Sequence, residues 1–403
     1  MSASARRLAL VAALAFAASG VAGRQPPELI VHEWGTFTTV AGEEGQAVEW
    51  LPLGGPQDLP CFVYPFENNN LVKYWGGVNE PPLTYDKARF AMRGTVRMET
   101  PVVYFYAPEP VWADVTVSFP QGLMTEWYPH AGVAQPPATA GVLRRTTNSV
   151  LRWKDVAIRP NSRPALPTEQ AASHYYAARE TDAAAIRVGE EDEKFLFYRG
   201  VAGFQPPLTA TVTADGVRLK AAGDHPIDGV VLFENRRGRI GYRVHGTLRG
   251  EATVAAPALT GDLRALHRDL ERMLIASGLY AKEARAMIET WRDSWFEEGT
   301  RVFYLVPTSV VDAILPLEIA PTPVEVVRTF VGRMEVFTPA ALLTLGDAIA
   351  EGDDATVIAW GRFLDPMTER ILSRARPADR ARIVDRVNAT YRAHLEAAAI
   401  RCQ

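Results

Sequence analysis

His32 and Glu33 stand side by side in the first apolar segment after the N-terminal stretch, and Glu126 and His130 flank Trp127-Tyr128-Pro129 farther along. Imidazole and carboxylate donors together suit Zn²⁺ or another borderline divalent metal, which takes nitrogen and oxygen ligands and keeps one position for water. Metal-bound water drops in pKa towards ~7 and becomes a nucleophile for hydrolysis. The candidate ligands are His32, Glu126 and His130, with Glu99 as a further oxygen donor, and Glu33 is the candidate general base. Strand alternation sends His32 and Glu33 to opposite faces, so one pocket meets only one of them unless a bulge or a kink at Gly35 intervenes. Glu126 and His130 are read as lying in a proline-broken loop, free to converge. The competing account makes His32 a hydrogen-bonded core histidine and the glutamates turn caps or arginine partners.

Other catalytic signatures are missing. There is no HExxH helix, no GxSxG elbow, no phosphate loop and no dinucleotide fingerprint, so a nucleotide cofactor is not expected. The aromatic residues open a second line. Trp34, Trp127 and Tyr128, in a crowd that includes Trp50, Trp75, Trp112 and Trp153, fall in the β-rich half of the chain. Exposed rings on a β-sheet stack on sugars or grip peptides. Two readings therefore stand: a metal-dependent hydrolytic enzyme, or a non-catalytic envelope protein that binds a glycan or peptide.

The elements that must position these residues change character along the chain. Residues 24–256 read as a β-rich domain, with runs at 29–40, 100–106, 111–119, 150–158, 194–198, 208–220, 229–234 and 239–248 between turn-forming clusters. Asp215-Gly216 marks a tight hairpin. Residues 189–193 read as a solvated acidic turn. Beyond Pro257 the apolar period becomes that of a helix, in stripes through Leu266, Leu270 and Leu274 and through Ala284, Met287 and Trp291. Residues 257–403 form a helix-rich region with strands near 300–306 and 324–337, and Thr338-Pro339 opens a capped helix. The expected fold is α+β, a β-sandwich-like N-terminal body with a helix-rich C-terminal part docked on it.

The 403 residues are 47% hydrophobic and 22% charged, with a formal net charge of −4 and no basic run, so nucleic acid is not an expected partner. Arg6-Arg7, the apolar residues 8–18 and the small residues ending at Gly23 have the three-part form of a secretory signal peptide. The apolar run is shorter than the ~18 residues a membrane span needs, so no transmembrane anchor is expected after its removal. A periplasmic or extracellular protein follows. Two cysteines remain, Cys61 and Cys402, and an oxidising compartment favours their pairing; two separate thiols are the alternative.

The segment Val31-His32-Glu33-Trp34-Gly35-Thr36-Phe37-Thr38 resembles the signature of exported bacterial proteins that share a HEWGTF segment. Met98-Glu99-Thr100-Pro101, Thr125-Glu126-Trp127-Tyr128-Pro129, Phe197-Tyr198-Arg199-Gly200 and Val331-Gly332-Arg333 look like its other recurring blocks. The resemblance implies a shared fold and compartment and brings no activity with it.

Overall fold

The computed structural model describes residues 28–53, 59–65, 93–135, 148–170 and 173–398, so the signal segment 1–23 and Cys402 lie outside the described residues. In chain order the first strands are β1 (Ile30–Val40), β2 (Tyr64–Pro65), β3 (Val96–Tyr106), β4 (Val111–Phe119), β5 (Gly122–Tyr128), β6 (Gly132–Ala134) and β7 (Ser149–Arg159). After a short 3₁₀ turn at His174–Arg179 come β8 (Ala185–Val188), β9 (Glu191–Glu193), β10 (Leu196–Ala202), β11 (Leu208–Thr213), β12 (Gly216–Ala221), β13 (Ile227–Arg236), β14 (Arg239–Leu248) and β15 (Glu251–Val254). Helices α1 (Leu263–Ala276), α2 (Ala281–Thr290) and α3 (Arg292–Trp295) precede β16 (Gly299–Leu305), α4 (Thr308–Ile314), β17 (Leu317–Ala320) and β18 (Glu325–Glu335). Helices α5 (Pro339–Glu351), α6 (Asp354–Ile358), α7 (Leu364–Arg374) and α8 (Pro377–Ala398) complete the chain.

A nine-stranded sheet runs in the order β14-β13-β16-β18-β1-β3-β10-β5-β2, and a six-stranded sheet holds β17-β4-β7-β8-β9 with β6 beside β7. β11, β12 and β15 form a small third sheet. The fold is α+β with sandwich-like packing. β16 and β18, from the helix-rich part of the sequence, sit in the middle of the large sheet, and β18 runs parallel to β1. The large sheet therefore takes strands from both sides of residue 257.

Each face of β1 has its own cover. Val31 and Phe37 belong to the sandwich core with Val115, Val117, Leu151 and Trp153. Trp34 belongs to a second core with Leu266, Leu270 and Leu274 of α1 and Met287 and Trp291 of α2. Burying each such leucine contributes about 1.5–3 kcal/mol relative to exposing it. Asp262 caps α1 by accepting from the backbone N–H of Arg264 and Ala265, and Gly278 ends that helical run at φ +108°. The last four helices pack on a cluster of their own that includes Leu345, Trp360 and Met367, while Phe363 joins Val40 and Trp50.

Two local expectations are corrected. Thr125–Tyr128 is no loop: these residues lie in β5 and pair with β10 and β2, because sheet partners on both sides satisfy the backbone despite the nearby proline. Residues 191–193 form β9, and Glu193 is fully buried between Arg179 and Tyr175 instead of facing solvent.

Candidate functional site

β1 runs unbroken beside β18 and delivers His32 and Glu33 to opposite faces. Its Gly35 is required by close approach: a Cβ there would stand 2.7 Å from the Phe330 ring. On the helix side, His32 Nδ1 lies 2.8 Å from Glu283 Oε2, and the same carboxylate accepts from the Tyr106 hydroxyl and the Tyr280 backbone N–H, each at 2.8 Å. His32 is thus a buried core histidine that docks α2 on the sheet. On the sandwich side, Glu33 accepts from the Tyr198 hydroxyl and, at 2.6 Å, from Arg328 Nε. Burial lowers and Glu33 raises the Arg328 pKa, with a net upward shift. Glu33 is thus held in the buried interior as the partner of a tyrosine hydroxyl and an arginine.

The remaining expected ligands do not join them. His130 is exposed, its ring edge-on to Tyr64, and its backbone N–H donates to Glu191. Glu126 is buried on β5 directly across from Arg199. Glu99 binds Arg97 at 3.1 Å and Arg362. Among the described residues no group of three or more His, Cys, Asp or Glu side chains stands ready to hold a metal ion. Nor do the expected ring residues form an open platform. Trp34, Trp127 and Tyr128 are all buried, and Trp127 and Tyr128 sit in different cores because successive strand residues alternate.

What the strands do assemble is a row of ionised and polar side chains on the helix-covered face of the large sheet. Arg301 lies across from Glu335, Arg333 across from Thr38 and Thr38 across from Arg97, Thr36 lies across from Glu99, and Arg199 lies across from Glu126. The pairing is irregular where it crosses β3, β10 and β5. Thr100, a β-branched residue, is held at φ +44°, with its hydroxyl 3.3 Å from Arg199 Nε. Bulges and strained backbone of this kind re-aim side chains and cluster at functional sites.

The surface offers a different feature. Trp112 is 65% exposed on β4, whereas Trp34, Trp50, Trp127, Trp153, Trp291, Trp295 and Trp360 are buried. It stands on the solvent face of the six-stranded sheet, across from Ala157, with Arg187 and Asp192 next in the same cross-strand row. Arg187 grips Asp192 through Nε at 2.9 Å and Nη2 at 2.5 Å. The alternation in Val111–Phe119, apolar at odd positions, already places Trp112 outward, so the signal for an exposed ring was legible. β3 leads through Ala107 and Pro108 into β4, and those residues with Tyr106, Arg163, Asp182 and Lys194 line a cleft of about 690 Å³. Lys194 Nζ donates to the Ala183 carbonyl at 2.6 Å, and burial lowers its pKa. No sequence motif announces this cleft.

No family model and no curated protein matches this chain. Among solved structures, the Fcho1 Mu homology domain of Danio rerio with bound Eps15 peptide is similar over 78% of this chain and 97% of that one, at 8% identity and a TM-score of 0.27.

Proposed function

We propose that this is an exported, non-catalytic protein that binds a glycan at the rim of the sandwich where Trp112 stands. Trp112 carries the reading. An indole held in solvent on a sheet face offers an apolar surface to the C–H face of a sugar ring, and the Arg187–Asp192 pair, two strands along the same cross-strand row, offers donors and acceptors to hydroxyls. The cleft of Tyr106 and Lys194, whose wall runs into the same strand, supplies further polar groups. A peptide added as a strand would use a sheet edge, while Trp112 projects from a face. The metal-dependent hydrolytic reading has no assembled ligand set among the described residues to support it.

The test is affinity electrophoresis through gels containing soluble polysaccharides. Trp112→Ala is expected to lose about tenfold or more in affinity, while its denaturation midpoint shifts little because the ring is largely exposed. Equal retardation of variant and parent on every retarding polysaccharide, or no retardation of the parent, would overturn the reading.

Export rests on the first 23 residues, and it places Cys61 and Cys402 where they would pair. Intact-mass measurement of envelope protein is expected to show an N-terminus near Arg24, and thiol titration of the same sample to read none before reduction. Met1 retained on that protein would exclude cleavage, and two titratable thiols would exclude the bond. Among the described residues no helix is long and apolar enough to cross a membrane.

A further inference from the structure

We propose that the helix-covered face of the nine-stranded sheet encloses a binding site for a small, hydrogen-bearing oxyanion of the phosphate type, held by Arg333, Thr36, Thr38 and Glu99. The site is separate from Trp112 and does not rest on the glycan reading.

Register brings the four together. Thr38 lies directly across from Arg333 on one side and Arg97 on the other, and Thr36 lies across from Glu99. With neighbouring strands ~4.8 Å apart, these side chains rise from one face of three adjacent strands, within a patch about 10 Å wide.

Their hydrogen-bonding capacity is left unspent. Arg333 is fully buried; Nη2 donates to Glu297 Oε1 at 2.6 Å, but Nε and Nη1 have no partner. The Thr36 and Thr38 hydroxyls and the Trp295 indole N–H are also buried without partners. Trp295 packs on Phe303 at 5.4 Å, and Phe303 is the cross-strand neighbour of Arg333. Buried N–H groups of a guanidinium are seldom left unpaired, because the desolvation cost goes uncompensated. One orphan in this patch is purely an acceptor, Glu99 Oε2.

The complementary ligand therefore presents mostly acceptor oxygens and at least one O–H. Hydrogen phosphate and dihydrogen phosphate meet that description; sulfate at neutral pH carries no hydrogen for Glu99, and chloride cannot address Glu99 at all. Burial alone would raise the Glu99 carboxyl, but Arg362, Arg97, Arg333 and Arg199 outweigh it and hold the group below its usual range, an ionised acceptor. Burial first, then neighbouring Arg301 and Arg362, hold Arg333 down to about 10 against the pull of Glu297 and Glu99. Because Thr36, Thr38, Glu99 and Arg333 are all fully buried, the site suits the free ion and not the phosphoryl group of a larger molecule.

The test is thermal unfolding of the full chain, purified without phosphate, against phosphate, sulfate, chloride and glycerol phosphate at matched ionic strength. A ligand that binds only the folded state raises the midpoint with its concentration. The expected result is a rise with phosphate, much less with sulfate, and none with chloride or the ester beyond ionic strength. Arg333→Met risks the fold, so Thr38→Val is the decisive variant. It removes one hydroxyl donor at constant shape and should weaken the phosphate response about tenfold while leaving phosphate-free stability equal or higher. Glu99→Gln, which exchanges an acceptor for a donor, should move the preference towards sulfate. Equal shifts with all salts, or an undiminished phosphate response in Thr38→Val, would overturn the site and leave its unpartnered atoms as ordinary buried polar groups.

Discussion

Replacing Arg301 with methionine is expected to cost about 3–5 kcal/mol of folding stability, the usual penalty for leaving one member of a buried ion pair alone. Arg301 and Glu335 are both 0% exposed, joined Nε to Oε2 at 2.9 Å. The guanidinium also donates to the carbonyl oxygens of Trp295 at 2.8 Å, Glu298 at 2.6 Å and Ser294 at 3.5 Å, so the substitution strands these three carbonyls as well as the carboxylate. Even with its partner present, burial pushes the Glu335 carboxyl up to about 7 against the pull of Arg301 and Arg333. Without Arg301 it stays protonated at neutral pH, which limits the loss, and the deficit grows as pH rises and ionisation is forced. The double variant Arg301→Met/Glu335→Met should lose less than the sum of the two single variants, since two apolar side chains of similar volume replace the pair. Urea unfolding at pH 7 and 9 measures all three. Additive losses would show that the pair is not energetically coupled.

That pair also illustrates what a sequence shows and what it hides. β4 was legible because apolar and polar residues alternate from Val111 to Phe119, and α1 because Leu266, Leu270 and Leu274 repeat at helical spacing before Gly278. β3 was half legible: it is buried on both faces, so it lacks alternation, and Thr100-Pro101 read as its start when they are a bulge in its middle. β5 was missed for a related reason. Thr125-Glu126 beside Tyr128-Pro129 has the composition of a turn, and only pairing with β10 and β2 makes it a strand.

The polar row was illegible as a unit. Read one at a time, Glu99 and Glu126 suit metal ligands, turn caps or arginine partners, and nothing in the pattern ties them to Arg199 or Arg333. Arg362 reaches Glu99 across 263 residues of chain, and on the opposite face of the sheet Glu33 meets Arg328 across 295, separations at which local pattern carries no signal. Segments 31–38, 98–101, 125–129, 197–200 and 331–333 contribute Thr36, Thr38, Glu99, Glu126, Arg199 and Arg333 to that face. His32 is the instructive case among the expected metal ligands. Its type and neighbours suited a metal; a carboxylate from α2, brought in by helix docking, engages its Nδ1, while Nε2 stays buried without a partner and the other expected ligands lie elsewhere.

Asp365→Asn is expected to stabilise the protein at pH 8 and to do nothing at pH 4. Asp365 lies in the first turn of α7 with Oδ2 buried and unpartnered. Burial first, and Glu369 second, push its carboxyl up to about 7, and the opposing Arg93 and the Leu51 backbone N–H do not restore it. A carboxylate whose folded pKa exceeds its unfolded value of about 3.9 binds its proton more tightly in the native state. Its contribution is therefore intact below pH ~4, falls as pH rises towards 7 and stays at its lowest above that. The loss is about 4 kcal/mol at most for a shift of this size, and water reaching the site would reduce it. Asparagine keeps the shape and cannot ionise, so the variant escapes the loss. Carboxylates held low by arginines, Glu99 and Asp192 among them, act in the opposite sense, contributing stability above their unfolded values and losing it as pH falls. They are common to both proteins and cancel in the comparison. Urea midpoints measured at pH 4, 6 and 8 should show the gain opening between the first and last points. A gain that is flat across the series, or absent at pH 8, would mean that Asp365 is hydrated and carries its charge at no cost.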